Sequence, residues 1–158
     1  MAQPESPYGS TEGRLDAFTI SLTTGFLCRQ EGAGPEHLKV HRAHFNAFWK
    51  AGTGKVIYPD NDMTGNEYVV IADLLERFPN GSIFFTTKGY IGYGSSSARQ
   101  GDHCVIFQGG FAPFIVRSGR EDGLTRLISE CYIHGIMNGE VAPKVSAGEF
   151  KMEDIILF

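Results

Sequence analysis

Ser82-Ile83-Phe84-Phe85-Thr86-Thr87-Lys88-Gly89-Tyr90-Ile91-Gly92-Tyr93-Gly94 is the stretch on which the reading of the fold turns. Aromatic and β-branched residues run up to a turn at Gly89 and away from it again, the pattern of a strand hairpin. Downstream the same texture continues. Strands are predicted at residues 82–88, 90–93, 102–108, 113–117, 124–134 and 153–158, with breaks at 94–101, 109–110 and 119–123. Short strands at close turn spacing suggest a small antiparallel barrel or a strongly curled sheet. Closure would remove the edges that a short sheet otherwise exposes.

Upstream of Gly81 the period is helical. In residues 14–29, Leu15, Phe18, Leu22 and Phe26 share one face. A second helix is predicted from Pro35 or Glu36 to Ala51, with proline in its first turn. Leu38, His41, Phe45, Phe48 and Trp49 form its stripe, and Gly52 and Gly54 stop it. A third fits residues 64–78, where Thr64 and Glu67 make a capping-box pattern and Tyr68, Ile71, Ala72, Leu75 and Phe78 line one face. The fold class expected is α+β: N-terminal helices packed on a small C-terminal antiparallel β-barrel or curled sheet. Residues 1–12 read as a flexible tail. Residues 13–158 read as a single domain, mainly helical over 13–81 and stranded over 82–158.

Bulk properties fit that reading. The chain has 158 residues, enough to bury a core without disulfide or metal staples. Its net charge is −4 and no basic run exceeds a dipeptide, which argues against nucleic acid and anionic membrane surfaces as partners. Cys28, Cys104 and Cys131 make a poor disulfide framework, so a reducing, cytoplasmic setting is expected. No apolar leader and no membrane-length apolar stretch are visible.

Several motifs carry a family resemblance. The hairpin Phe84 to Gly94 resembles an "FFxTxxGxxGxG" pattern found near the end of fungal heterokaryon-incompatibility (HET) proteins. Gln100-Gly101-Asp102 with Cys104 to Gly110 is similar to their "QxGDxVxxxxGG" strand, and Pro113-Phe114-Ile115-Val116-Arg117 follows as "PFxxR". Glu130-Cys131-Tyr132-Ile133-His134-Gly135-Ile136-Met137-Asn138-Gly139-Glu140 resembles "ECYVHGIMDGE", with Asn138 where the family commonly has Asp. The resemblance covers residues 82–140 closely and 13–81 faintly. It implies the C-terminal module of that family, without the N-terminal HET domain associated with incompatibility signalling. It predicts fold better than function.

The candidate chemistry is sparse. Gly89-x-x-Gly92-x-Gly94 is followed by Ser95-Ser96-Ser97 and no Lys, so it reads as hairpin turns rather than a phosphate loop. His37, His41 and His44 fall at i, i+4 and i+7, but without HExxH or a nearby Cys pair they read as surface or pocket-lining imidazoles, not a metal site. Cys104 and Cys131 lie in strand patterns that read as core, so neither is taken as a nucleophile. Glu130, Tyr132 and His134 alternate along one strand and project to one face, opposite Leu127, Ser129, Cys131 and Ile133.

Two functions are weighed. Resemblance to a detached family module in fungal natural-product pathways implies a cofactor-free cyclase of the Diels–Alderase type, acting on a small hydrophobic substrate. Tyr132 or His134 would donate a hydrogen bond, and Phe45, Phe48, Trp49, Tyr68 and Glu130 would line the substrate pocket. The alternative is a non-catalytic binding or regulatory module.

Overall fold

The computed structural model describes residues 6–22, 35–66, 80–119 and 123–158. The expected helix over 64–78 falls largely outside them, and so does Tyr68; Thr64, Gly65 and Asn66 are not helical.

Helix α1 spans Thr11–Leu22. Ser10 caps it, its Oγ accepting from the Gly13 N–H at 3.0 Å, and Glu12 sits in the positive first turn. The start lies inside the segment expected as a tail. The buried face also differs from the expected stripe: Ala17, Thr19, Ile20 and Ser21 are buried, not Leu15, Phe18 and Leu22. The reason is close packing. Small residues let α1 approach the sheet, where Ser21 Oγ reaches Ile91 O at 3.4 Å, while Phe18 turns toward the second helix.

Helix α2 spans Pro35–Thr53, close to expectation. It passes Gly52 and ends where Gly54 adopts φ 72° and donates its N–H to Lys50 O at 2.8 Å, a left-handed cap that glycine takes without a Cβ clash. Phe45 is the centre of an aromatic cluster. Its ring meets Phe18 edge-on at 6.0 Å, stacks on Trp49 at 5.8 Å and meets Tyr58 at 6.3 Å. Asn46 fixes the following loop, donating to Tyr58 O at 2.8 Å and accepting from the Ile57 and Tyr58 N–H groups.

Five strands follow: β1 (Gly81–Phe85), β2 (Ile91–Ser95), β3 (His103–Ile106), β4 (Pro113–Ser118) and β5 (Thr125–Ile133). They form one antiparallel sheet in the order β1-β2-β5-β4-β3. Among the described residues β1 and β3 do not pair with each other, so of the two architectures expected the open, curled sheet is the one present. The sixth expected strand, 153–158, contributes only an isolated parallel bridge between Leu157 and Thr125. Helix α3, Val141–Ser146, was not foreseen. Pro143 sits in its first turn, where an N–H has no helical partner to lose.

The sheet is buried on both faces at β2, where Ile91, Gly92, Tyr93 and Gly94 are all buried. One face holds the core of Ile115, Cys131 and Ile133, joined by Tyr90 and Ile136 and flanked by Phe84, Tyr8, Val141 and Phe150. Ser129, Cys131 and Ile133 were expected on this face together with Leu127, yet Leu127 is 45% exposed. The cause is a bulge: Ile115 pairs with Ser129 but Val116 with Leu127, so Ile128 is an extra residue and the alternation changes phase there.

Candidate functional site

The other face of β2 and β5 carries Tyr93, Tyr132 and, just past the strand end, His134. Tyr93 and Tyr132 are direct cross-strand partners, each 7% exposed. α1 packs against β2 on this sheet. Tyr132 Oη and His134 Nδ1 are joined by a hydrogen bond of 3.1 Å, the tautomer of the imidazole deciding which atom donates. The His134 N–H donates to Ile91 O at 3.0 Å, continuing the ladder one step past β5.

The site is poor in solvent, and its imidazoles respond to that. Burial lowers the His134 pKa from its ordinary value, opposed by the carboxylates of Glu140 and Asp16. His41 on α2 is only 1% exposed; burial first, then the neighbouring His44, His37 and His134, bring its pKa down to about 4. Both rings are therefore neutral near pH 7 and act as polar, uncharged groups. Burial likewise raises the Tyr93 hydroxyl.

Two struts tie α2 and its following loop to α1. Arg42 grips Asp16 through Nε at 2.8 Å and Nη2 at 2.6 Å, and its Nη2 also reaches Glu12 at 2.8 Å. The same guanidinium lies 4.9 Å over the Tyr58 ring. Tyr58 Oη in turn contacts Thr19 Oγ1 at 3.1 Å, tying the α2 loop back to α1.

Of the residues singled out from sequence, Tyr132 and His134 are brought together. Phe45 and Trp49 are stacked one turn beyond His41 on α2, and Phe48 is half-buried. Glu130 is exposed on β5 and does not share the burial of Tyr132. Among the described residues, a recess of about 490 Å³ is lined by Arg99, Gln100, Gly101, Asp102, Arg117 and Ser118. It holds the Arg117–Asp102 pair, at 2.7 and 2.8 Å, and shares no residue with the expected aromatic lining. His37, His41 and His44 do not assemble a metal site: among the described residues no group of three or more His, Cys, Asp or Glu side chains is placed to hold an ion. His44 Nδ1 instead accepts the Asn66 N–H at 2.9 Å.

The cysteines divide sharply. Cys131 is buried and Cys104 is exposed. A thiol hydrogen bond between them raises the Cys131 pKa, with burial adding to it, and lowers that of Cys104. Cys131 thus stays a protonated core residue.

Sequence reasoning passed over Tyr8 and Tyr93. Tyr8 sits in a polar, Pro-containing lead segment, and its ring lies 5.5 Å from His134 and 6.1 Å from Tyr90. Its seat is made by two glycines of positive φ, Gly89 against Pro7 and Gly135 against Tyr8.

Residues 54–152, more than half of the chain, match the family model of the Het-6 beta-barrel domain. The chain belongs to the Het-6 beta-barrel domain family. A similar curated protein is "Heterokaryon incompatibility protein 6, OR allele" of Neurospora crassa, 36% identical over 69 residues. That match covers 42% of this chain and 10% of the relative, so the chain corresponds to a small part of a much longer protein. No solved structure gives a significant match. In this Het-6 barrel domain the matched region takes in the whole sheet and the Tyr132–His134 pair, whereas Tyr8, α1 and all of α2 precede it. No helix among the described residues is long and apolar enough to cross a membrane.

Proposed function

We propose that this Het-6 barrel domain is a cofactor-free cyclase of fungal natural-product biosynthesis, closing a ring in a terpenoid by intramolecular Diels–Alder reaction. Norbornene formation in sordaricin-type diterpene pathways is the reaction type intended. The observation that carries the reading is the Tyr132–His134 hydrogen bond, set on a desolvated helix–sheet seam with both nearby imidazoles neutral.

The reaction suits such a site. Three π bonds become two new σ bonds and one relocated π bond within a single molecule. No atom, proton or electron is gained or lost. The protein has to fold a flexible substrate so that diene and dienophile touch. It can also aim a donor at a dienophile carbonyl, where negative charge grows as the bonds form. If Tyr132 donates to Nδ1, the outward donor is His134 Nε2–H; if Nδ1–H donates to Tyr132, it is the phenol. A charged imidazolium would be costly here, and burial disfavours it. Phe45, Phe48, Trp49 and Tyr68 are assigned to substrate shaping, and Glu130 to the rim.

A second reading takes its cue from the named relative, a heterokaryon incompatibility protein: a non-catalytic ligand- or protein-binding regulatory module. The two separate in one experiment. The purified chain is incubated with metabolites from a producing strain lacking it, and the products are searched for an isomer of unchanged mass. Such an isomer, formed by the wild type and slowed by Tyr132→Phe or His134→Ala, supports the cyclase. An unchanged metabolite pool refutes it and leaves the regulatory module.

A further inference from the structure

The β2–β5 ladder has an irregular last rung. Beyond Gly92–Ile133 the next partners are Ile91 and His134, and an antiparallel pair of this kind normally exchanges two N–H···O bonds. One is made directly, from the His134 N–H to Ile91 O at 3.0 Å. The other is not direct. The Ile91 N–H donates to Tyr8 Oη at 2.9 Å, and Tyr8 Oη donates to His134 O at 2.9 Å. A phenol hydroxyl from 126 residues away is spliced into the ladder.

The splice has a prepared seat. Ser6 to Ser10 is a tight turn, with the Gly9 N–H on Ser6 O at 3.0 Å and the Ser10 N–H on Tyr8 O at 2.9 Å. It lies on two glycines of positive φ. A Cβ at Gly89 would stand 3.1 Å from Pro7 Cδ, and one at Gly135 would stand 3.6 Å from Tyr8 Cε1. The same turn ends in Ser10, the cap of α1. The Tyr8 ring then lies tilted against the His134 imidazole, 5.5 Å between centroids, and packs edge-to-face with Tyr90 at 6.1 Å.

We infer that Tyr8 is a positioning residue: its hydroxyl, inserted between Ile91 and His134, and its ring, laid against the imidazole, hold His134 in the orientation that meets Tyr132. A hydroxyl that both donates and accepts must keep its proton, as a phenol does at neutral pH, and burial raises Tyr8 further, to about 12. The inference rests on the proposed role of the Tyr132–His134 pair only for its functional meaning. The placement itself is read without substrate.

The test is NMR of the full chain with labelled histidine, on wild type and Tyr8→Phe. Phenylalanine keeps the ring and deletes only the bridging oxygen. The expected result has two parts. The Ile91 amide exchanges at least about tenfold faster while Ile115, in β4, exchanges as before. The His134 imidazole titrates closer to its ordinary value, with a changed balance of Nδ1–H and Nε2–H tautomers. An unchanged His134 titration and tautomer balance overturns the inference, whatever happens to stability. Should Tyr8→Phe not fold, fluorinated tyrosine at position 8 preserves the shape and strengthens the phenol as donor. The His134 ring signals must then move stepwise with fluorination, and a lack of movement overturns the inference too. Turnover by Tyr132 and His134 variants tests the cyclase separately, so either idea can fail alone.

Discussion

Arg42 on α2 holds Asp16 on α1 through two parallel hydrogen bonds, Nε to Oδ1 at 2.8 Å and Nη2 to Oδ2 at 2.6 Å. The two side chains are 22% and 13% exposed, so the pair is largely withdrawn from water. A planar fork matched to a carboxylate fixes the angle between the helices as well as their distance. Arg42→Ala leaves Asp16 without that fork and is expected to cost about 2 kcal/mol, the usual scale for a charged hydrogen bond at a partly buried site. Arg42→Lys should recover only part, since an ammonium is a point charge without the fork geometry. Urea midpoints of the three proteins measure this; identical midpoints would contradict the strut.

His41 makes stability pH-dependent. Its pKa is about 4 in the folded chain against an ordinary 6.5, burial being the main cause. Between those values the unfolded chain carries the proton and the folded chain does not. Stability is therefore complete above pH 6.5 and falls as the pH drops toward 4, by on the order of 3 kcal/mol. Lowered His134 acts in the same direction. Thermal melts from pH 7.5 to 4.5 should show the decline, and His41→Leu should flatten it. A melt temperature constant over that range in the wild type would disprove a neutral buried His41.

Gly92 is required by its neighbours. It faces Phe84 across the β1–β2 pair, and an added Cβ would fall against the Phe84 ring and 2.7 Å from Tyr132 O. The ring can swing, but the backbone carbonyl cannot. Gly92→Ala is expected to destabilise the fold by about 1–3 kcal/mol, the range for overpacking. Calorimetry on that variant is the check, and a wild-type melting temperature would show that the strand yields more easily than the contacts imply.

The two strand cysteines should differ in reactivity. Cys104 is exposed and its pKa is lowered by the Cys131 thiol, whereas Cys131 is buried and raised. Thiolate, not thiol, is the reacting species. Under native conditions iodoacetamide is expected to label Cys104 well before Cys131, with peptide mapping as the readout. Equal labelling would mean that the β5 core opens readily.

For the cyclase, Tyr132→Phe and His134→Ala are each expected to slow isomer formation about tenfold, equivalent to about 1.4 kcal/mol at the transition state. Binding of substrate should change little, since carbonyl charge develops during bond formation. Full activity in both variants would remove this pair from the chemistry.

Much of the architecture is legible in the residues themselves. Alternating apolar residues and Gly turns predict β1 to β5, and the stripe from Leu38 to Trp49 with Pro35 and Gly54 marks α2. These are local properties: strand period, helix period and glycine's tolerance of positive φ depend only on neighbours in the chain. The pairing of Tyr132 with His134 is legible for the same reason, because residues two apart on a strand share a face.

Only the tertiary structure decided the rest. The Ile128 bulge moves Leu127 to the surface, although the alternation from Leu127 to Ile133 looks unbroken in sequence. Tyr8 stands among residues that read as a tail, and it acquires its place from Ile91 and His134, far along the chain. His41 looks like any helical histidine until the folded chain withdraws water from it. Register, desolvation and contacts between distant segments depend on where the whole chain closes on itself, and no short-range pattern encodes that position.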